Sequence, residues 1–162
     1  MLTLDSIMQV IHHTINKAEY CFLITHDLRA GANARQMQPF GPDEEMNIWF
    51  GSGTASRKIR EIEKYEKVTL AYGYHEESAY VTLKGIATRV DNDEIKRKYW
   101  RSSFLDFWPD GAPSENYTVV KFVPNYIEAI NFKQKLAPEP YGLKPAILVR
   151  EDDIWRIEYP KT

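Results

Sequence analysis

The sequence predicts a mainly β protein with inserted α-helices, organised as a small antiparallel β-barrel. Three observations carry this. Short apolar or alternating segments recur along the chain, polar turns join them in hairpin-like pairs, and only three stretches have helical spacing. An alternating βαβ pattern is absent, which argues against a parallel sheet.

The first helix is marked by Leu4, Ile7, Met8, Val10, Ile11, Ile15 and Ala18, which recur at spacings of three and four and make one apolar face. Such a face belongs against a sheet. Tyr20 to Thr25 is a nearly unbroken apolar run, expected to be a strand buried on both faces, and Asp27 to Gly31 supplies the turn. Ala32 to Phe40 is the expected return strand. Gly41-Pro42-Asp43 breaks the chain before another strand from Asn47 to Gly51.

A second, strongly charged helix is expected from Ser56 to Tyr65, with Ile59 and Ile62 on its inner side. Val68, Leu70, Tyr72 and Tyr74 alternate in one strand, and Val81, Leu83, Gly85 and Ala87 in the next, across the Glu76-Glu77-Ser78 turn. Asp91-Asn92-Asp93-Glu94 is an N-cap and first-turn signal for a third helix, expected to run to between Phe104 and Trp108. Tyr117 to Val123 and Tyr126 to Phe132 read as two strands with Pro124 at their junction, followed by apolar segments at Ala146 to Val149 and around Trp155 and Ile157. With no repeat or linker, residues 1–162 form one expected domain.

Composition narrows the function. Lys and Arg number 21 against 23 Asp and Glu, a net charge of -2, so no global field draws the chain to nucleic acid or to an anionic membrane. No apolar run approaches the ~20 residues that span a bilayer. The single Cys21 lies in an apolar stretch and reads as a buried small side chain, consistent with a cytoplasmic protein.

One segment concentrates chemistry. Gly51-Ser52-Gly53-Thr54-Ala55-Ser56-Arg57-Lys58 follows a strand and opens a helix, so amide N–H groups, hydroxyls and two cations converge. A phosphate suits that place. Ser56 could simply cap a helix whose first turn is basic, but cations oppose the helix dipole there and need a compensating anion. Gly51, Gly53 and Ser56, with Glu76 downstream, also imitate a dinucleotide fingerprint; the flanking hairpins lack the parallel βαβ unit it requires.

Other chemistries find no matching pattern. His12, His13, His26 and His75 have no partners at zinc-ligand spacing, so no metal site is expected. Lys96 and Ser102 stand where an EF-hand starting at Asp91 would need Gly and Glu, and no G-x-S-x-G nucleophile elbow occurs.

The order of Ala34-Arg35-Gln36-Met37, Ile48-Trp49-Phe50-Gly51-Ser52, Ser56-Arg57-Lys58, Val68-Thr69-Leu70-Ala71-Tyr72 and Leu83-Lys84-Gly85-Ile86-Ala87 resembles the pyridoxamine 5′-phosphate oxidase-like split-barrel flavoproteins. Within them, the Trp100 region and Phe107-Trp108-Pro109-Asp110-Gly111 look like the general stress protein branch. The resemblance implies an antiparallel split β-barrel that forms a homodimer, binds FMN at the dimer interface and acts as an oxidoreductase on an unknown small molecule. A non-catalytic flavin-binding stress protein, or the same barrel with heme or a deazaflavin, is the alternative.

By the same resemblance, Arg35 would meet the FMN phosphate or ribityl chain, and Gln36, Met37 and Gln38 would run beside the isoalloxazine ring. Gly51 and Ser52 stand where the usual pattern has an aromatic and a Thr, and Ser56, Arg57 and Lys58 match the phosphate-binding trio. Tyr80 replaces a Gln directed at the flavin, and Ile130 replaces a Trp. Tyr141-Gly142-Leu143-Lys144-Pro145 stands where the oxidases carry Arg-x-His-Asp-Arg, which implies poor vitamer oxidase activity; Trp155 still matches the oxidase tail.

Overall fold

The computed structural model describes residues 2–137 and 144–158. Eight antiparallel strands make one sheet in the order β2-β1-β4-β5-β6-β7-β8, with β3 (Ile48–Gly53) paired to β6 (Tyr117–Asn131). The remaining strands are β1 (Cys21–Asp27), β2 (Gly31–Met37), β4 (Lys67–Tyr74), β5 (Ala79–Val90), β7 (Ala146–Glu151) and β8 (Ile154–Glu158). Beyond β2 the chain makes one more bridge, Phe40 to Trp49 of β3, with the Phe40 amide donating to the Trp49 carbonyl at 2.8 Å. That bridge closes a ring of neighbours through β1, β2, β3, β6, β5 and β4, so the sheet wraps into a barrel around Leu23, Ile48, Phe50, Leu70, Leu83, Val120 and Phe122.

Helix α1 (Leu4–Ala18) covers the sheet as its apolar face requires, burying Ile7, Ile11 and Ile15, and a reciprocal Thr3–Ser6 capping box fixes its start. Helix α2 (Arg57–Lys64) lies on β1 and β5 with Ile59 and Ile62 inside. The tail strands form where the apolar segments predict them.

Four expectations need correction. The first strand is not buried on both faces: Cys21, Leu23 and Thr25 point inward, while Phe22 is 51% exposed on a sheet face that nothing among the described residues covers. Its return strand stops at Met37, because Pro39 has no N–H for a ladder and the Asp43 carboxylate folds the following loop by accepting from the amides of Glu45 and Asn47 and from Trp49 Nε1.

The third helix, α3 (Asp93–Lys98), is much shorter than expected and is followed by a 3-10 turn at Ser102–Asp106. Asn92 caps it as read. Packing overrides helical propensity beyond Lys98: Tyr99 stacks on Trp49 at 4.5 Å between ring centroids, while Trp100 meets Tyr117 edge-on at 5.0 Å, and an uninterrupted helix would turn successive rings to different faces.

The two strands expected around Pro124 are one, β6. Its first half pairs with β3 and its second half with β7, and Pro124 falls where that edge changes partner, so its missing N–H leaves no ladder bond unmade. Opposite it, the register of β5 slips between Lys84 and Gly85. A Cβ on Gly85 would lie 2.1 Å from the Val123 carbonyl oxygen, so only glycine admits this close approach.

Candidate functional site

The site is built where β2, β1 and the start of α2 meet. Register places Arg35 opposite Leu23 and Asn33 opposite Thr25, all on the inward face, whereas Gln36 pairs with Phe22 on the outward face. Arg35 therefore reaches α2. Its guanidinium donates to Glu61 Oε2 at 2.8 Å, to Leu23 O at 3.4 Å and to the Thr25 hydroxyl.

Glu61 is the residue sequence reasoning missed. In sequence it is one charge among many on a strongly charged helix, yet it is buried and accepts from Thr25 Oγ1, Asn33 Nδ2 at 2.8 Å and Arg35, with Arg57 Nε at 3.4 Å. Burial opposes its ionisation, but the Thr25 and Arg35 hydrogen bonds and the charges of Arg35 and Arg57 hold its carboxyl below the ordinary glutamate range. Its position four residues after Arg57, one turn along the same helix, was the available signal.

At the start of α2, Ser56 occupies the N-cap but makes no side-chain cap. Its hydroxyl is 3.0 Å from that of Ser52, itself buried at the end of β3. The first-turn amides of α2 thus keep their donor capacity, and two hydroxyls stand beside them. Lys58 is half-buried; among the described residues no carboxylate pairs with it, and burial together with the Arg35 charge pushes its ammonium pKa down. A cation so placed is stabilised by an anion. Arg57 is exposed and adjoins a cavity of about 600 Å³ that also borders Arg60, Glu61 and Lys64.

Gly51 has a Tyr117 ring carbon only 2.7 Å and a Phe104 ring carbon 3.1 Å from where its Cβ would stand. Tyr117 and Phe104, belonging to a second aromatic cluster with Trp49, Tyr99, Trp100 and Trp108, fill the volume that an aromatic at position 51 would need. This explains a glycine there.

Of the expected site residues, the structure brings Arg35, Ser52, Ser56, Arg57 and Lys58 to the start of α2, Arg35 and Arg57 on Glu61 and Ser52 beside Ser56. It separates the rest. Met37 packs on the core beside Arg35's face, Gln36 and Gln38 are exposed, and the Gln38 carbonyl accepts from Arg101 at 2.8 Å. Tyr80 lies on the outward face of β5, donating to Glu128 Oε1 at 2.7 Å; burial and then that carboxylate push its phenol up to about 12. Tyr141 to Leu143 lie outside the described residues. Among the described residues no group of three or more His, Cys, Asp and Glu side chains is arranged to hold a metal, and no helix is long and apolar enough to cross a membrane.

Comparison with known proteins places this geometry in context. The family described as "Pyridoxamine 5'-phosphate oxidase like" matches residues 6–132. General stress protein 26 of Bacillus subtilis (strain 168) is 31% identical over 93 residues, 56% of this chain and 66% of that protein, so the match spans just under two thirds of the relative. General stress protein 26 from Bacillus anthracis str. Sterne superimposes with a TM-score of 0.67 at 23% identity, covering 76% of this chain and 93% of the other. A pyridoxamine 5′-phosphate oxidase-related, FMN-binding protein from Nostoc punctiforme PCC 73102 gives 0.76 at 14% identity, covering 93% and 94%. These neighbours share its split-barrel fold.

Proposed function

The chain belongs to the pyridoxamine 5′-phosphate oxidase-like family, and on that premise we propose that it binds FMN and serves as an FMN-dependent oxidoreductase of the general stress type. The observation that carries the reading is the start of α2. Lys58 is half-buried, with no carboxylate paired to it among the described residues, beside an uncapped helix N-terminus and the Ser52 and Ser56 hydroxyls, a donor set that fits a phosphomonoester. The FMN-binding Nostoc neighbour supports the choice of flavin.

In this reading Lys58 and Arg57 supply charge to the phosphate, Ser52, Ser56 and the first-turn amides supply hydrogen bonds, and Arg35 braces the wall behind them. Gln36 and Tyr80 share the outward sheet face with Phe22, where the ring of the cofactor and a second protomer would lie. When bound, the flavin supplies the hydride chemistry, and the protein supplies orientation and exclusion of competing reactions. No side chain at this locality is assigned as an obligatory acid or base.

The test begins with the visible spectrum of freshly purified protein and the identity of any flavin released by acid. Recovered FMN, with turnover of the bound flavin by a nicotinamide donor, is the expected result. Protein that neither carries nor takes up FMN would overturn the reading, and tight FMN binding without turnover would reduce it to a flavin-binding protein.

A further inference from the structure

A second cavity, of about 250 Å³, lies at the barrel end where α1 runs into β1, and none of its lining residues belongs to α2. The last turn of α1 gives one wall, with Asn16 and Glu19. The segment from Gln38 to Gly41 and Arg101 give another, over buried Ile15 and Tyr72. Two lining residues are charged, Glu19 and Arg101, and they are opposite in sign. They do not meet: among the described residues neither forms an ion pair.

Each charge is held in place. Arg101 donates from its two terminal nitrogens to the Gln38 and Pro39 carbonyls, both at 2.8 Å, and lies over the Phe40 ring at 4.2 Å, which fixes its plane and leaves its remaining N–H donors uncommitted. Such a fork suits a carboxylate. Glu19 follows α1 with φ 60° and ψ -39°, a backbone that residues with a Cβ avoid and where glycine is the ordinary choice. Asn16 Oδ1 reaches toward Gly41, 3.1 Å from where a Cβ would stand. A carboxylate, an amide oxygen and the negative end of the α1 dipole thus gather on one side, and all three attract a cation. At the buried floor, the Tyr72 hydroxyl has no hydrogen-bond partner of ordinary geometry, only the weakly polar Cys21 thiol opposite it in register, and burial keeps that phenol protonated as a donor.

We propose that this cavity binds a small zwitterion, an α-amino acid with an apolar side chain, taking its ammonium at Glu19 and Asn16, its carboxylate at Arg101, and its side chain against Ile15, Pro39 and Phe40. One negative and one positive lining charge leave the cavity neutral, so a simple anion or cation meets an opposing charge, and a ligand that carries both satisfies both. This goes beyond the FMN reading and does not rest on it.

Amide NMR titration of the full-length protein with L-leucine tests the proposal. Leucine should bind saturably and shift the amides of Glu19, Gly41 and Arg101. Isocaproate, which lacks its ammonium, and isoamylamine, which lacks its carboxylate, should each bind at least about tenfold more weakly. Glu19→Gln should weaken leucine by about tenfold and leave isocaproate within about twofold of wild type, whereas Arg101→Gln should weaken leucine and isocaproate together and leave isoamylamine within about twofold. Glu19→Gly relieves the backbone, so the ligand-free protein should melt at a higher temperature while leucine binding falls; a Glu19 that only ends the helix would give the first change without the second.

No saturable leucine binding, shifts confined to other parts of the chain, isocaproate or isoamylamine binding as tightly as leucine, or wild-type leucine affinity in Glu19→Gln would each overturn the proposal. Glu19 is exposed, so its variants keep the core intact; if Arg101→Gln does not fold, the two Glu19 variants decide. A protein that binds no flavin would remove the FMN reading and leave this test unaffected.

Discussion

Replacing Arg57 and Lys58 together with Ala is the sharpest perturbation of the cradle, because it removes the two cations that are free to meet a ligand and leaves Arg35 locked on Glu61. The two contribute unequally. Lys58 is half-buried, has no carboxylate partner among the described residues and is destabilised as a cation by burial and by Arg35, so an arriving phosphate relieves that strain as well as forming a charge-assisted bond. Such a bond contributes about 1.5–3 kcal/mol. Arg57 is exposed and leaves Glu61 to bind, so its net gain resembles a surface pair at about 0.2–1 kcal/mol. The sum, about 2–4 kcal/mol, corresponds to a loss of roughly 30- to 1,000-fold in affinity.

Calorimetric titration with FMN measures this directly, and titration with riboflavin should show little change. The sign of the Lys58 shift adds a check: phosphate binding restores its proton affinity, so FMN binding by wild type should weaken as pH rises through the depressed lysine pKa. Wild-type affinity in a folded double variant would refute the reasoning.

Other perturbations test neighbouring parts of the account. Gly85→Ala should destabilise the barrel by more than ~3 kcal/mol or prevent folding, since its Cβ would meet backbone atoms of Val123 and Pro124; a melting temperature close to wild type would contradict the bulge argument. Phe22→Glu should convert a homodimer, read by light scattering, to monomer, because Phe22 stands half-exposed on the outward sheet face; a wild-type monomer with flavin bound would remove that interface. Glu61 and the partly buried Asp43 both have lowered pKa values, so the stability they contribute is present above their ordinary values of 4.5 and 3.8 and is lost as pH falls through the lower folded values; acid titration of circular dichroism should show unfolding begin there. FMN-loaded protein should oxidise pyridoxine and pyridoxamine 5′-phosphates at least about a hundredfold more slowly than a dedicated oxidase, for want of the paired charged donors the oxidases place late in the chain; comparable turnover would restore vitamin chemistry.

Local pattern made much of the fold legible. The α1 periodicity, the Ser56 helix start and the alternations that became β4 and β5 reflect burial on one face, which a sequence displays directly. What stayed hidden depends on partners far away in the chain. Phe22 looks like core until the sheet is assembled and leaves it half-exposed, and the Tyr99-Trp100 break follows from rings on Trp49 and Tyr117. Glu77 shows the same: it reads as a turn residue, yet it is buried, accepting from Asn131 Nδ2 at 2.7 Å and paired with His13 at 3.0 Å, so it ties α1 to the end of β6. In the site, Ser56, Arg57 and Lys58 were legible because a helix start dictates their convergence. Glu61 was not, because its burial requires Arg35 and Thr25 to arrive from another part of the barrel.

The central claim is that the start of α2 holds a flavin by its phosphate. Equilibrium titration of the flavin-free protein with FMN and riboflavin tests it most directly. The account predicts saturation at one FMN per chain, with riboflavin bound more weakly by at least about tenfold. Equal affinity for the two flavins, or no saturable FMN binding by folded protein, would contradict it.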